Sequence, residues 1–481
     1  MTVTGWARVR RRWPLILALG VATGLLVPLQ PTLGRYPALG LVVPGAFIVI
    51  AVLLFRAPEI SFALYMSAGS FKAGLMPLQA SLGFDFTIAL ALLVIAGVAV
   101  RVISRRGHIR FHWSIASAYL LLAGWMCFSL IWSPAQEYGW EKSTRFVTLT
   151  LLAFAAPLFL LDTWPRLERF FWALFLAGVL FTAGALMSLY SEGGPRRLVT
   201  VFGADYLTLG RTCGLAAGLG TYFLIGLSKK WWLRLVLLIC VGAAIFVMVL
   251  GAGRGPIVAW LLAFTPPALL RRYWNRQSSL VLRTQLAVMA LFGGGWALGL
   301  LPHELTSRFE LFFAAFFGGD PSAVHLAPRI HIWQVGLDTF FQTPFLGAGV
   351  GAYKTYVGTF EIIYPHNLLL EAGSELGFVG LMLTMFLIIT PLARWRQCSR
   401  VRLPNRQRFL FDMVLWVYAF FFLEVMKSGD FNSNRVFWMS IGLVTAACII
   451  VTGEIRAKAA AGRSPASQQE RTAVSKPVPS G

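Results

Sequence analysis

Runs of about 20 apolar residues, each closed by charged or turn-forming residues, recur along the whole of this chain. A run of that length is what a helix needs to cross a bilayer. They fall at 14–31, 38–55, 60–79, 85–103, 115–132, 146–162, 170–190, 206–228, 231–251, 255–270, 281–301, 366–390, 409–427 and 436–453. In lipid every backbone N–H and C=O has to be satisfied inside the protein, so successive runs of this kind fold as helices. The expected fold class is therefore all-α: a polytopic transmembrane helical bundle of about 12–14 spans, the two runs within 231–270 being the ones that could merge. Hydrophobic residues make up 57% of the 481 and charged residues 13%, which leaves no stretch with the composition of a soluble domain. Arg8, Arg10, Arg11 and Arg12 precede the first run and no small-residue cleavage site follows it, so that run reads as a retained anchor.

Basic residues set the expected orientation. With the N-terminus inside, the inner loops and both termini hold 29 of the 42 Lys and Arg, the run from Arg394 to Arg408 holding the most. The net charge of +22 is mostly this bias, and a nucleic-acid partner is not needed to explain it. Four segments follow: transmembrane helices over 1–301, one large outer loop over 302–365, transmembrane helices over 366–456, and a disordered tail over 457–481. Within the loop, Pro328–Phe341 puts Ile330, Trp333, Leu337, Phe340 and Phe341 on one helical stripe, an amphipathic helix that lies on the membrane or caps the bundle. The five cysteines form no Cys-x-x-Cys pair and no His/Asp cluster has metal spacing, so free thiols and no metal are expected.

Charges at membrane depth are costly, which makes the few present informative. Pro365-His366-Asn367 opens the twelfth run, and Gly377-Phe378-Val379-Gly380 follows. On a helix, His366, Leu370, Gly373, Gly377 and Gly380 share one stripe, and Asn367, Glu371 and Glu375 the next. The positive pole of a helix disfavours a protonated ring, and a neutral imidazole is what a general base requires. The alternative is a polar interface cap, with the glycines serving packing alone. Arg211, Arg254 and Arg329 fall at the same outer level as His366. Each alone also fits a snorkelling arginine. Together their guanidinium forks suit a phosphate or diphosphate on a lipid. Glu371 and Glu375 either hold Asn367 or an arginine in place or pair within the bundle.

His366-Asn367, nine residues, then Gly377-x-x-Gly380 resembles the His-[Asn/Ser/Gln]-x9-Gly-x-x-Gly pattern of the bacterial O-antigen ligases and the related O-antigen and glycan polymerases. Arg329-Ile-His-Ile-Trp333 through Pro344-Phe-Leu-Gly-Ala-Gly349 is similar to the segment ahead of that pattern. Gly253-Arg254-Gly255 is similar to the family's Ser-Arg-Gly turn, with Gly253 in place of serine. The likeness is specific over about 200–390 and only topological before it. It implies a metal-independent, cofactor-free glycosyltransferase of the inner membrane with its active site facing the periplasm. The donor would be a glycan on undecaprenyl diphosphate, and the acceptor a hydroxyl of a glycan or of the lipid A-core. His366, Arg254 and Arg329 would be catalytic, and Arg211, Asn367 and Glu371 would bind substrate. The rival class is a transporter that flips a lipid-linked glycan without chemistry; against it stand the absence of repeated halves and the confinement of the polar set to one level. A membrane scaffold explains neither the arginines nor the His-Asn pair.

Overall fold

A computed structural model describes residues 55–82, 85–104, 113–191, 206–227, 230–250, 254–265, 327–358 and 364–461, with a few isolated positions between 283 and 299. The runs expected at 14–31, 38–55 and 281–301, the first part of the outer loop and most of the tail lie outside the described residues. Those described are helical, without a strand. In chain order the helices are α1 (Pro58–Leu82), α2 (Phe86–Ser104), α3 (Trp113–Phe128), α4 (Gln136–Leu160), α5 (Trp164–Ser191), α6 (Tyr206–Tyr222), α7 (Trp231–Leu250), α8 (Arg254–Leu262), α9 (Ala327–Gln342), α10 (Tyr353–Tyr356), α11 (Leu368–Cys398), α12 (Asn405–Val425) and α13 (Arg435–Ala461). Seven helices among the described residues are long and apolar enough to cross a membrane, which makes this a multi-pass membrane protein. The stretch over 231–270 is divided between two helices, α7 and α8, and α13 runs past Ala457 into the segment expected as tail.

Aromatic side chains fill the core where small residues make room. Gly218 of α6 and Gly226 of the π-helical turn after it admit Trp416 and Phe409 of α12, positions at which any added Cβ would overlap a ring. Tyr119 of α3 stacks on Phe146 and Phe154 of α4 and meets the edge of Trp438 of α13. These contacts belong to one buried cluster that draws on α3, α4, α6, α11, α12 and α13 among others.

Three expectations are corrected. The run expected at 146–162 belongs to a helix that starts ten residues earlier, at Gln136, and passes through a π-helical turn at Phe146–Thr150. Its polar first turns escaped the sequence pattern because Lys142 lies fully inside the bundle, where carboxylates neutralise it.

The helix α9 exists, but three residues of its expected stripe face outward. Ile332, Gly336 and Thr339 are turned inward, while Trp333, Leu337 and Phe341 of the expected stripe are exposed. α9 runs alongside the first turns of α11, Gly336 beside Pro365 and Leu370 and Gly373 beside Phe340. It packs on α11 through Gly336 and Phe340, buries Ile332 and Thr339, and leaves Trp333, Leu337 and Phe341 outward.

The glycine pattern of α11 also differs from a simple contact stripe. Gly377 has φ 65° and ψ −162° and breaks the helix. The loop after α9 docks into this break. Ala348 and Gly349 amides donate to the Ser374 and Glu375 carbonyls at 2.9 Å, Phe378 N–H donates to the Pro344 carbonyl at 2.6 Å, and Trp125 Nε1 donates to the Leu376 carbonyl at 2.9 Å. Backbone groups released by the break are thus paired again, the condition for irregular backbone among membrane helices. Gly347 and Gly377 meet backbone to backbone, and each has positive φ.

Candidate functional site

α11 begins with a capped turn. Asn367 is extended, and its Oδ1 accepts the Leu369 and Leu370 amides at 3.0 and 3.2 Å, an N-cap that asparagine favours. Its Nδ2 donates to the Met426 carbonyl at 3.2 Å, tying α11 to the loop after α12. Both ends of the Asn367 amide therefore serve the fold. His366 stands one residue ahead of the cap with φ 54°, a left-handed backbone uncommon outside glycine. It is accordingly off the helical stripe expected for it, and the cap, not the imidazole, occupies the helix start. The ring sits edge-on to Tyr364, centroids 4.6 Å apart.

His366 lines a cavity of about 490 Å³ at the end of the bundle where α6, α11 and α13 begin. α1 contributes Tyr65 and Ser70, α6 contributes Arg211 and Thr212, the loop after α12 contributes Ser428 and Ser433, and α13 contributes Arg435. Ser70 and Thr212 share a hydrogen bond of 2.8 Å across the wall. The walls thus combine two guanidiniums, an imidazole and several hydroxyls with the apolar faces of Leu174, Leu215 and Phe421. Such a lining can hold an anion, present it to a base and bind hydroxyl-rich groups while sheltering an apolar chain.

Arg211 is anchored at one edge. Its Nε is 3.0 Å from Glu424 Oε2, and the other oxygen of this buried carboxylate is 2.7 Å from Lys427 Nζ. Two cations share one carboxylate, so the trio carries a net positive charge. Arg211 Nη2 is buried and has no hydrogen-bond partner among the described residues. A buried N–H in that condition costs on the order of 1–3 kcal/mol, which an incoming oxygen acceptor would recover. Arg254 is the first residue of α8, and the next turn packs on the same cluster: Gly255 faces Lys427 and Gly210 faces Pro256. Arg329 lies in the first turn of α9. The side chains of Arg254 and Arg329 lie outside the described residues. The structure therefore brings His366 and Arg211 together in one cavity, and the start of α8, where Arg254 lies, packs on Gly210 and Lys427.

Glu371 belongs to a different arrangement. It and Glu375, one turn apart on α11, both reach the Lys142 ammonium of α4, the second at 2.6 Å, and all three side chains are buried. Glu371 Oε1 also accepts the Phe431 amide at 3.3 Å, and Asn432 Nδ2 donates to the Lys142 carbonyl at 2.9 Å. Of the two roles open to Glu371 and Glu375, pairing within the bundle is the one seen. This cluster holds the loop that lines the cavity and lies behind it.

Arg435, Tyr65 and Lys142 were not among the expected site residues. Arg435 carried a legible signal: Ser428 to Asn434 is a polar loop, and a span opens on arginine after it, as another does near Arg211. Lys142 carried none, because its partners lie more than 220 residues away.

No family model matches the chain. It is similar to an O-antigen ligase of Pseudomonas aeruginosa, 25% identical over 270 residues, which are 55% of this chain and 61% of that protein. It is also similar to the exopolysaccharide production protein ExoQ of Rhizobium meliloti, 26% identical over 235 residues, 41% of this chain and 52% of that protein. The chain thus spans between half and two thirds of the length of these curated relatives.

Proposed function

We propose that this chain, which belongs to the O-antigen ligase superfamily, transfers a glycan from a lipid-linked diphosphate to a sugar hydroxyl. The observation that carries this reading is the shared cavity of His366 and Arg211: a base and an incompletely satisfied guanidinium, walled by hydroxyls and apolar side chains. An imidazole nitrogen of His366 takes the proton of the acceptor hydroxyl. The acceptor oxygen then bonds to the anomeric carbon of the donor as the bond from that carbon to the diphosphate oxygen breaks. The electron pair leaves with the diphosphate, and Arg211, with Arg254 and Arg329, stabilises the growing charge. Direct displacement inverts the anomeric centre. Fixed cations take the place of a divalent metal, so transfer should persist in a chelator.

The donor in this proposal is a glycan on undecaprenyl diphosphate, the acceptor another glycan or the lipid A-core, and the cavity opens to the periplasmic side of the inner membrane. The basic run Arg394–Arg408 at the opposite end of α11 supports that orientation. A transfer assay with purified protein, lipid-linked donor and each acceptor class tests the reaction and separates ligase from polymerase. If the protein moves the donor across a bilayer but forms no glycosidic bond, the reading fails in favour of a transporter. Cysteine labelling of Gly358→Cys from the outer side tests the orientation.

A further inference from the structure

We propose that Arg435, at the start of α13, is a further phosphate-binding residue of this cavity; the inference rests on the glycan-transfer reading and names a residue that reading lacks. Charge is the first argument. Arg211 shares Glu424 with Lys427, so part of its field is already neutralised. Among the described residues no carboxylate pairs with Arg435, whose neighbour is Tyr65, a ring 6.0 Å from the guanidinium carbon. A ring face supports a guanidinium without cancelling its charge. Arg435 is therefore the less neutralised of the two cavity guanidiniums, and the one with more to gain from an anion.

Rigidity is the second argument. The loop that delivers Arg435 is fastened at each step. Asn367 holds Met426, Asp430 Oδ1 accepts the Asn432 and Ser433 amides at 3.0 and 2.6 Å, and Asn434 Nδ2 donates to the Ser428 and Asp430 carbonyls at 3.2 and 2.8 Å. Phe431 is tied to Glu371, and Trp438 Nε1 returns to the Phe431 carbonyl at 2.9 Å. A cation on such a support needs little reorganisation to meet a charged ligand. Position is the third. Arg435 and Arg211 come from different helices and line the same cavity, as two clamps on two phosphoryl groups would.

The test measures binding of a short polyprenyl diphosphate without glycan to the full-length protein in detergent, against polyprenyl monophosphate and neutral polyprenol. Arg435→Gln should weaken diphosphate binding about tenfold or more, the range expected for a lost charge-assisted hydrogen bond, and leave polyprenol binding unchanged. Arg435→Lys should fall between, since it keeps charge and loses the planar fork. If Arg435→Gln does not fold, the lysine variant decides: undiminished preference for diphosphate over polyprenol in it overturns the proposal. A wild-type protein that does not prefer diphosphate sinks the glycan-transfer reading itself. A wild-type preference kept intact by Arg435→Gln sinks this inference alone. Affinity lost only for the glycan-bearing donor means that Arg435 reads sugar and not phosphate.

Discussion

Two sets of charged groups hang on the same end of α11, and they are built on opposite principles. In the first, Glu371 and Glu375 close on Lys142 with no exposed side chain, and the Phe431 amide donates to Glu371. In the second, a few residues away, His366, Arg211 and Arg435 line an open cavity, with an Arg211 N–H that has no hydrogen-bond partner among the described residues and Glu424 shared between Arg211 and Lys427. The closed set contributes to uniqueness of the fold and holds the loop. The open set leaves interaction energy unspent, which is where a ligand can act.

The contrast breaks first at His366. Alanine there should lower transfer by about 10²–10⁴-fold, the usual yield of a positioned general base, while binding of the lipid diphosphate and thermal stability stay near wild type. Glutamine, which keeps a hydrogen bond without the base, should be nearly as poor. Binding and transfer are measured separately on both variants. Unimpaired transfer in the alanine variant removes His366 from the mechanism, whereas lost binding with residual chemistry makes it a phosphate ligand.

Lys142 should show the opposite pattern. Lys142→Met leaves two carboxylates buried without their cation, a defect worth about 3–5 kcal/mol, so yield and melting temperature should drop sharply. Adding Glu371→Gln and Glu375→Gln removes the stranded charges and should restore part of the stability. The folded protein recovered should keep its affinity for the lipid diphosphate. Normal stability with lost affinity in Lys142→Met would place the closed set inside the site and dissolve the distinction.

These two residues also show what the sequence discloses and what it withholds. The spans are legible because a bilayer imposes length and apolarity on each helix separately, a local rule. His366 and Arg211 are legible for the same reason, each a polar group at the mouth of an apolar run. Lys142 is hidden because a charge among polar residues looks like a loop until its carboxylates arrive from α11. Arg435 is half legible: the pattern marks an arginine at a span start and says nothing of the cavity it lines. Trp333, Leu337 and Phe341 of α9 face outward although they are apolar, because periodicity separates apolar from polar residues without telling which apolar ones meet the protein. The break at Gly377 was invisible, since a glycine that bends a helix and one that admits a neighbour are the same letter.

The docked loop gives a prediction of intermediate size. Gly347→Ala forces a positive-φ alanine, about 1–3 kcal/mol of strain, against the backbone of Glu375 and Gly377. Stability should fall by a few kcal/mol, and transfer should fall with it as the Pro344–Gly349 loop leaves α11. Gly358→Ala, also at positive φ but with no described residue against its Cβ, is the control for strain alone. Equal losses in the two variants would mean that backbone strain, and not the close approach at Gly377, explains the first.

The smallest effect belongs to Asn367, which sits between the two sets and was expected to bind substrate. Its carbonyl oxygen caps α11 and its amide nitrogen holds the Met426 carbonyl, so the side chain has structural work at both ends. Asn367→Ala removes both and should cost about 1–2 kcal/mol, the scale of a lost N-cap with one further hydrogen bond. Asn367→Ser keeps a capping oxygen and drops the tether to Met426, so its stability loss should be a few tenths of a kcal/mol. If Asn367 acts only through the fold, the serine variant keeps near wild-type affinity for the lipid diphosphate, with at most a mild decline as the 426–434 loop loosens. Thermal melting and diphosphate binding on the two variants separate the roles. A serine variant that melts normally yet binds as poorly as Arg211→Ala would return Asn367 to the ligand, because no loss of capping could then account for the missing affinity.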